Sequence, residues 1–356
     1  MKKLPESVMI IAPAALITAL VLVLGFLMVG PDEGTPEAAV IPSAPVVTSP
    51  GSDLTDDPMP RTSEPTKQSK PDDPLPARPP GKLKAPPVTL KRKPAVRIFP
   101  QTSFRISSFN LLGHSHTEPG GHKARLAAGP VRMGWQLGLL DAHQVDVVGM
   151  QELQPQQWGV LNGRSSTWEV YPGGSDRLSM PNSIAWRRSV FRAVRTETVS
   201  IPYFFGEIRQ MPYVQLEHLE TKQRIWVANF HNPANAHGDA SRWRAEALRR
   251  EIDLANTLAL DGYPVFFTGD MNDRTGYFCG LTGNTDLRAA DGGSNEGACL
   301  PPSPMQVDWI FGSKQVTFSG YVADRSAAVA RTTDHPIVVA TATLPERRQK
   351  IVRKGR

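Results

Sequence analysis

Apolar positions divide the chain into three regimes. Residues 8–29, VMIIAPAALITALVLVLGFLMV, are 22 consecutive residues without a charge. Residues 31–100 show no lasting apolar period and hold 17 of the 33 prolines. From 101 to 345, short apolar runs alternate with polar breaks, as in a packed domain. FRISSFNLL (104–112) alternates and then turns apolar, and VDVVGMQEL (145–153) is a buried-strand run that ends in polar residues. NSIAWRR (182–188) reads as a strand, and YVQLEHLETKQRIWVANFH (213–231) as a hairpin turning near Thr221–Gln223. YPVFFTGDMND (263–273), QVDWIFG (306–312) and RTTDHPIVVATATL (331–344) each join an apolar run to acids. Helical spacing marks VRMGWQLGLLDAH (131–143) and DASRWRAEALRREIDLANTLAL (239–260). In the second, Trp243, Ala247, Leu248 and Ile252 share a face, and Asp239 or Ser241 serves as cap. Strands mixed with a few long helices predict stacked sheets with helices outside, an α/β (α+β) domain.

The outer regimes carry no domain. As a helix, 8–29 would reach about 33 Å, enough for a bilayer core. Lys2 and Lys3 precede it and Asp32 and Glu33 follow, an orientation that leaves the rest of the chain outside the cytoplasm. A cleaved signal peptide is the competing reading, but its apolar region is usually about 7–15 residues. The expected organisation is therefore a membrane anchor at 1–30, a Pro-rich linker at 31–100, a domain at 101–345 and a basic tail at 346–356. Secretion after cleavage is the alternative.

The net charge of +6 misleads about the domain. Residues 101–345 carry 22 Lys+Arg against 23 Asp+Glu, whereas the tail carries six basic residues and one acid. The domain offers no general electrostatic case for nucleic acid, and the tail is a solvated end or a contact for an anionic polymer or lipid. Cys279 and Cys299 lie 20 apart in a Gly-, Asn- and Asp-rich stretch, where they could form a disulfide in an exported domain or remain free thiols.

Eight polar residues stand at the edges of strand-like runs: Asn110, Glu152, His231, Asp270, Asn272, Asp308, Asp334 and His335. Packed sheets bring such strand ends to one rim. Crowded carboxylates repel there unless a cation resolves the repulsion. Carboxylate oxygens with water and phosphate are what Mg²⁺ prefers. His114, His116 and His122 in GHSHTEPGGHK suggest zinc, but the Gly and Pro content favours a loop over the site. Arg242, Arg244, Arg249 and Arg250 could grip phosphates or form a solvated helix face.

FNLL, GMQEL, ANFHNP, TGDMND, VDWIFG and TTDHPIVVA occur in an order and spacing that resemble the endonuclease/exonuclease/phosphatase superfamily, the deoxyribonuclease I-like fold. The resemblance covers about 103–345 and implies a four-layer α/β/β/α sandwich of two mostly antiparallel sheets. It implies His335 as general base or charge stabiliser, with Asp308 fixing its tautomer. Glu152 would be the principal Mg²⁺ ligand (Mn²⁺ or Ca²⁺ being alternatives), with Asp334 and Asn110 near the metal. Asp270 would orient or activate water, Asn272 would bind a phosphoryl oxygen, and His231 would touch the phosphate or assist the leaving group. Arg209, in EIRQMP, resembles a phosphate-contacting arginine, a looser match, and Asn110 would also meet substrate. After Asn110 comes LL, where some repair nucleases have an acid, which argues against abasic-site repair.

The expected function is an exported, membrane-anchored, Mg²⁺-dependent phosphoesterase, acting as a monomer and first of all on DNA outside the cell. A lipid phosphodiesterase or phosphatase of the sphingomyelin or phosphoinositide class is the runner-up. A catalytically dead phosphate-binding domain is the third reading.

Overall fold

The structure is a computed structural model and describes residues 96–350. The run at 8–29, the linker up to residue 95 and the end of the basic tail lie outside the described residues. Among the described residues, no helix is long and apolar enough to cross a membrane.

The first half of the fold contains β1 (Val96–Phe99), β2 (Thr102–Asn110), α1 (Gly129–Ala142), β3 (Val147–Gln151), α2 (Pro155–Asn162), β4 (Trp168–Tyr171) and β5 (Ile184–Arg187). Next come β6 (Phe191–Pro202), β7 (Ile208–His218), β8 (Arg224–His231), α3 (Ser241–Ala259), β9 (Val265–Asp270), α4 (Thr275–Asn284) and β10 (Leu287–Ala289). The chain closes with β11 (Asp308–Ser313), β12 (Thr317–Asp324), α5 (Ala327–Ala330), β13 (Ile337–Leu344) and β14 (Arg347–Lys350). One six-stranded sheet has the order β12-β13-β2-β3-β5-β4 and the other β10-β11-β9-β8-β7-β6. Each contains a single parallel pair, β2 with β3 and β8 with β9; α1 and α3 make the crossovers such pairs require.

Three apolar clusters define the layers. Phe104, Ile106, Trp186, Val214, Val227, Phe266 and Val338 fill the space between the sheets. Phe109, Val148 and Val339 turn the other way, onto Met133, Leu137 and Leu140 of α1 and Leu161 of α2. Phe230, Phe267 and Phe311 pack on Ala247 and Leu254 of α3 and Tyr277 of α4. The result is the four-layer α/β/β/α sandwich. β2 shows why the pattern changes along its length: its outer end is half solvated, and its last residues, Ser107 to Asn110, are buried on both faces.

The predicted strands and both helices form, and the hairpin turns between β7 and β8. Ala240 takes the N-cap position of α3, and Asp239 bonds the backbone and hydroxyl of Ser241 instead. β6 has no counterpart in the sequence reading, because its middle lies at a sheet edge and is mostly solvated. α4 is also missing from it, since TGYFCGLTGN carries three glycines and little amphipathic period. β1 and β14 pair antiparallel, so the folded unit includes residues on both sides of 101–345. Cys279 and Cys299 are joined in a disulfide with Cα atoms 5.8 Å apart.

Candidate active site

Strand direction assembles the site. β2, β3, β8 and β9 finish at the edge where β11 and β13, running antiparallel to their neighbours, begin. Asn110, His231 and Asp270 are the last residues of β2, β8 and β9; Glu152 follows β3; Asp308 opens β11; His335 precedes β13. Asp270 is in register with both His231 and Asp308.

Asp270 is the centre. It is buried, and its Oδ2 lies 3.2 Å from Asn110 Nδ2, 3.6 Å from His231 Nε2 and 3.7 Å from His335 Nε2. Its Oδ1 accepts the Asn272 backbone N–H at 3.0 Å, a bond that Asn272 reaches by adopting a positive φ of 48°. The Asn272 side chain donates to the Asn232 carbonyl at 2.9 Å. On the far side of His335, Nδ1 lies 3.0 Å from both oxygens of the fully buried Asp308. Burial alone would lower the His335 pKa, but the Asp308 carboxylate outweighs it and holds the imidazole up at about 10. Burial raises Asp308 in turn, with His335 opposing. The pair therefore keeps its shared proton through the neutral range.

Glu152 adopts a positive φ of 61° and receives three donors. Asn110 Nδ2 is 3.0 Å from Oε1, and the Gly113 N–H and His116 Nε2 are 2.8 and 3.1 Å from Oε2. Burial works to raise its pKa, yet His116, His231 and these donors together hold the carboxyl well below the usual range. Asn110, expected near the metal and the substrate, stands directly beside Glu152. Its Oδ1 accepts the Leu112 N–H at 3.0 Å, which fixes the amide and turns its nitrogen toward Glu152 and Asp270. It positions two carboxylates.

Asp334 is more open and pairs with Lys123 at 3.2 Å. Arg209 sits 4.1 Å over the Tyr203 ring, which meets His231 edge-on at 5.9 Å, so Arg209 reaches the rim through an aromatic intermediary. The arginines of α3 are largely occupied: Arg249 and Arg250 pair with Glu246, Arg244 bonds the Pro233 carbonyl, and Arg242 lies on Trp243.

Sequence reasoning missed the brace beneath the site. Arg132 is fully buried on α1 and donates to the carbonyls of Leu111, Leu112, Gly113, Ala127 and Thr332. Gln136 adds bonds to Leu111 and Thr332. These carbonyls belong to the loops that carry Glu152's partners and Asp334–His335. Only an arginine within a helical apolar stripe signals this in sequence. His116 was also missed as a Glu152 partner; His114 bonds Glu118 and the Gly129 N–H, so the three histidines do not form one ligand cluster.

The Endonuclease/Exonuclease/phosphatase family model matches residues 132–335, more than half of the chain. The chain belongs to this family. No curated protein matches at the sequence level. Among solved structures, a family protein from Bacteroides thetaiotaomicron is 15% identical over 69% of this chain and 96% of its own, with a TM-score of 0.56. A mannosyl-6-phosphatase from the same organism is 16% identical, covering 67% and 98%, with a TM-score of 0.53. The human Nocturnin catalytic domain with bound sulfate is 18% identical, covering 67% and 94%, with a TM-score of 0.52. At these identities the likeness is one of fold.

Family members are metal-dependent phosphoester hydrolases, so this chain is one. Two places could hold the ion. Asp270, Asp308 and His335 have ligand atoms within 4.8 Å of one another. A cation there would break the Asp308–His335 pair. Glu152 and Asp334 are partly open, and their partners His116 and Lys123 both come from the segment between β2 and α1. Their oxygens fit a hard divalent ion.

Proposed function

We propose that the chain is an exported, membrane-anchored, Mg²⁺-dependent phosphodiesterase that cleaves nucleic acid, with secretion as the alternative to anchoring. The observation that carries the chemistry is Asp270 held between His231 and His335, with His335 backed by Asp308. Asp270 accepts a hydrogen from the attacking water and aligns it. His335, as imidazolium, places positive charge at a phosphoryl oxygen where it builds up in the transition state. His231 serves the leaving oxygen, and the second amide hydrogen of Asn272 is available to a phosphoryl oxygen. Glu152 and Asp334 would hold the divalent ion, which supplies further positive charge at the phosphate when bound.

An aromatic shelf favours nucleic acid. Phe204 packs edge-on against His237, and Phe205 is 74% exposed at a φ of 57°, next to the Tyr203 that touches His231. Exposed rings beside arginines suit unstacked bases. One of the similar solved structures, zebrafish TDP2 (18% identical), was determined with a single-strand DNA product.

The test is a substrate panel on the chain: single- and duplex DNA, RNA, sphingomyelin, phosphoinositides and simple phosphomonoesters. Nucleic acid should be cleaved with Mg²⁺ and left intact with chelator. His335→Ala should lower turnover about 10²–10⁴-fold with its fold retained. Exclusive hydrolysis of a lipid headgroup would replace the nucleic-acid reading, and equal turnover in all three conditions would remove it.

A further inference from the structure

A cavity of about 540 Å³ opens at His335 and Asp334. One wall is the segment 121–126, the other the stretch of Arg325 to Ala330. Its chemistry is mixed. Leu126, Val329 and Ala330 give an apolar lining, while Lys123, Arg125 and Arg325 bring three cations. Asp334 takes up Lys123 at 3.2 Å. The other two cations have no direct ion pair among the described residues, although Arg325 lies close enough to the buried Asp308 to favour its carboxylate. Arg125 is exposed and makes no ion pair among the described residues, and Arg325 donates only to the neutral Gln306 side chain at 2.6 Å. Two guanidiniums thus line an apolar hollow beside the His335 imidazole, and a guanidinium is the side chain suited to phosphate oxygens.

We propose that this cavity binds a second phosphate of the same substrate, one linkage from the scissile phosphate, with the intervening sugar against Leu126 and Val329. This rests on the phosphodiester reading above and extends it: the substrate class becomes compounds with two neighbouring phosphates. A nucleic-acid backbone supplies that spacing, and so does a bisphosphorylated headgroup.

Two measurements test it on the full chain. The first is equilibrium binding of thymidine 3′,5′-bisphosphate against thymidine 5′-monophosphate, and of inositol bisphosphate against inositol monophosphate. The second phosphate should tighten binding about tenfold. In Arg125→Ala/Arg325→Ala that ratio should collapse toward one, and Arg125→Lys/Arg325→Lys should recover part of it. The second is cleavage of the dinucleotide TpT against pTpT and TpTp. One phosphorylated form should show a lower KM than TpT, an advantage lost in the alanine variant. A ratio near one in the native protein, or a ratio unchanged by the double substitution, overturns the subsite. If the bisphosphates bind as expected but no dinucleotide is cleaved, the subsite stands and the nucleic-acid reading falls. A tenfold preference confined to the inositol pair assigns the cavity to headgroups.

Discussion

Glu251 illustrates how a single buried group sets a pH response. It lies on α3 with no exposure, accepts the Tyr277 hydroxyl at 2.6 Å, and leaves its other oxygen unpartnered next to the Asn232 amide, whose own oxygen is also unpartnered. Burial pushes its carboxyl up to about 7, with the Tyr277 and Asn232 bonds opposing. Desolvation favours the neutral acid over the carboxylate, so Glu251 holds its proton in the folded state. The reference value is 4.5, so the folded state binds more protons than the unfolded chain between 4.5 and about 7. The stability contributed by that proton is complete below 4.5 and is lost as pH rises through 7, an effect of about 3 kcal/mol. Glu251→Gln should flatten this part of the stability profile. Urea unfolding at pH 5 and pH 8 checks it: the native protein should lose more stability than the variant, and parallel losses would refute the protonated state.

At the scale of elements, polar braces hold the site's strands and loops in place. Arg132 ties the loop after β2 to the loop before β13 through five carbonyls. Arg132→Met keeps the apolar stem and orphans those acceptors, so it should destabilise the fold by at least about 3 kcal/mol in urea unfolding. Any activity left at low temperature should show weakened metal affinity, because the same loop presents Gly113 to Glu152. A second brace joins the two sheets: Asn229 on β8 donates to the Met150 carbonyl of β3 at 2.7 Å and accepts from Gln151 at 2.7 Å. Gly149 leaves room for this crossing, since a methyl there would collide with Thr268 and Asn229. Gly149→Ala should lower the unfolding midpoint without altering any site residue. The disulfide is a third device, closing the loop between α4 and Cys299; Cys279→Ser/Cys299→Ser should cost about 3 kcal/mol.

For the whole molecule, charge location outweighs net charge. The near-neutral balance over 101–345 hides a cationic cavity beside His335 and acids drawn to the rim. A polyanionic substrate should therefore show a steep fall in kcat/KM between about 50 and 200 mM salt, steeper than that of a substrate with one phosphate. Equal salt slopes for both would place the anion contacts elsewhere. The measurement needs only steady-state rates at several ionic strengths.

Much of the site was legible because each key residue adjoins an apolar run. Asn110, His231, Asp270 and Asp308 are strand-terminal residues, and the change from an apolar run to polar residues marks a strand's end from sequence alone. Arg132, Gln136 and His116 were not legible, because their partners are carbonyls and a carboxylate contributed from distant segments, and Tyr203 was not, because it acts through ring contacts with Arg209 and His231. The edge strand β6 was obscured by its solvated middle. By itself the chain's sequence determined which segments are strands, which polar groups lie at their ends, and the membership in a hydrolase family. The tertiary structure alone decided the direction of the Asn110 amide, the position of Asp270 between two imidazoles and the cavity lined by Arg125 and Arg325. Burial periodicity is a local property of a segment. Hydrogen-bond direction and cavity shape arise only when segments far apart in the chain are packed against one another.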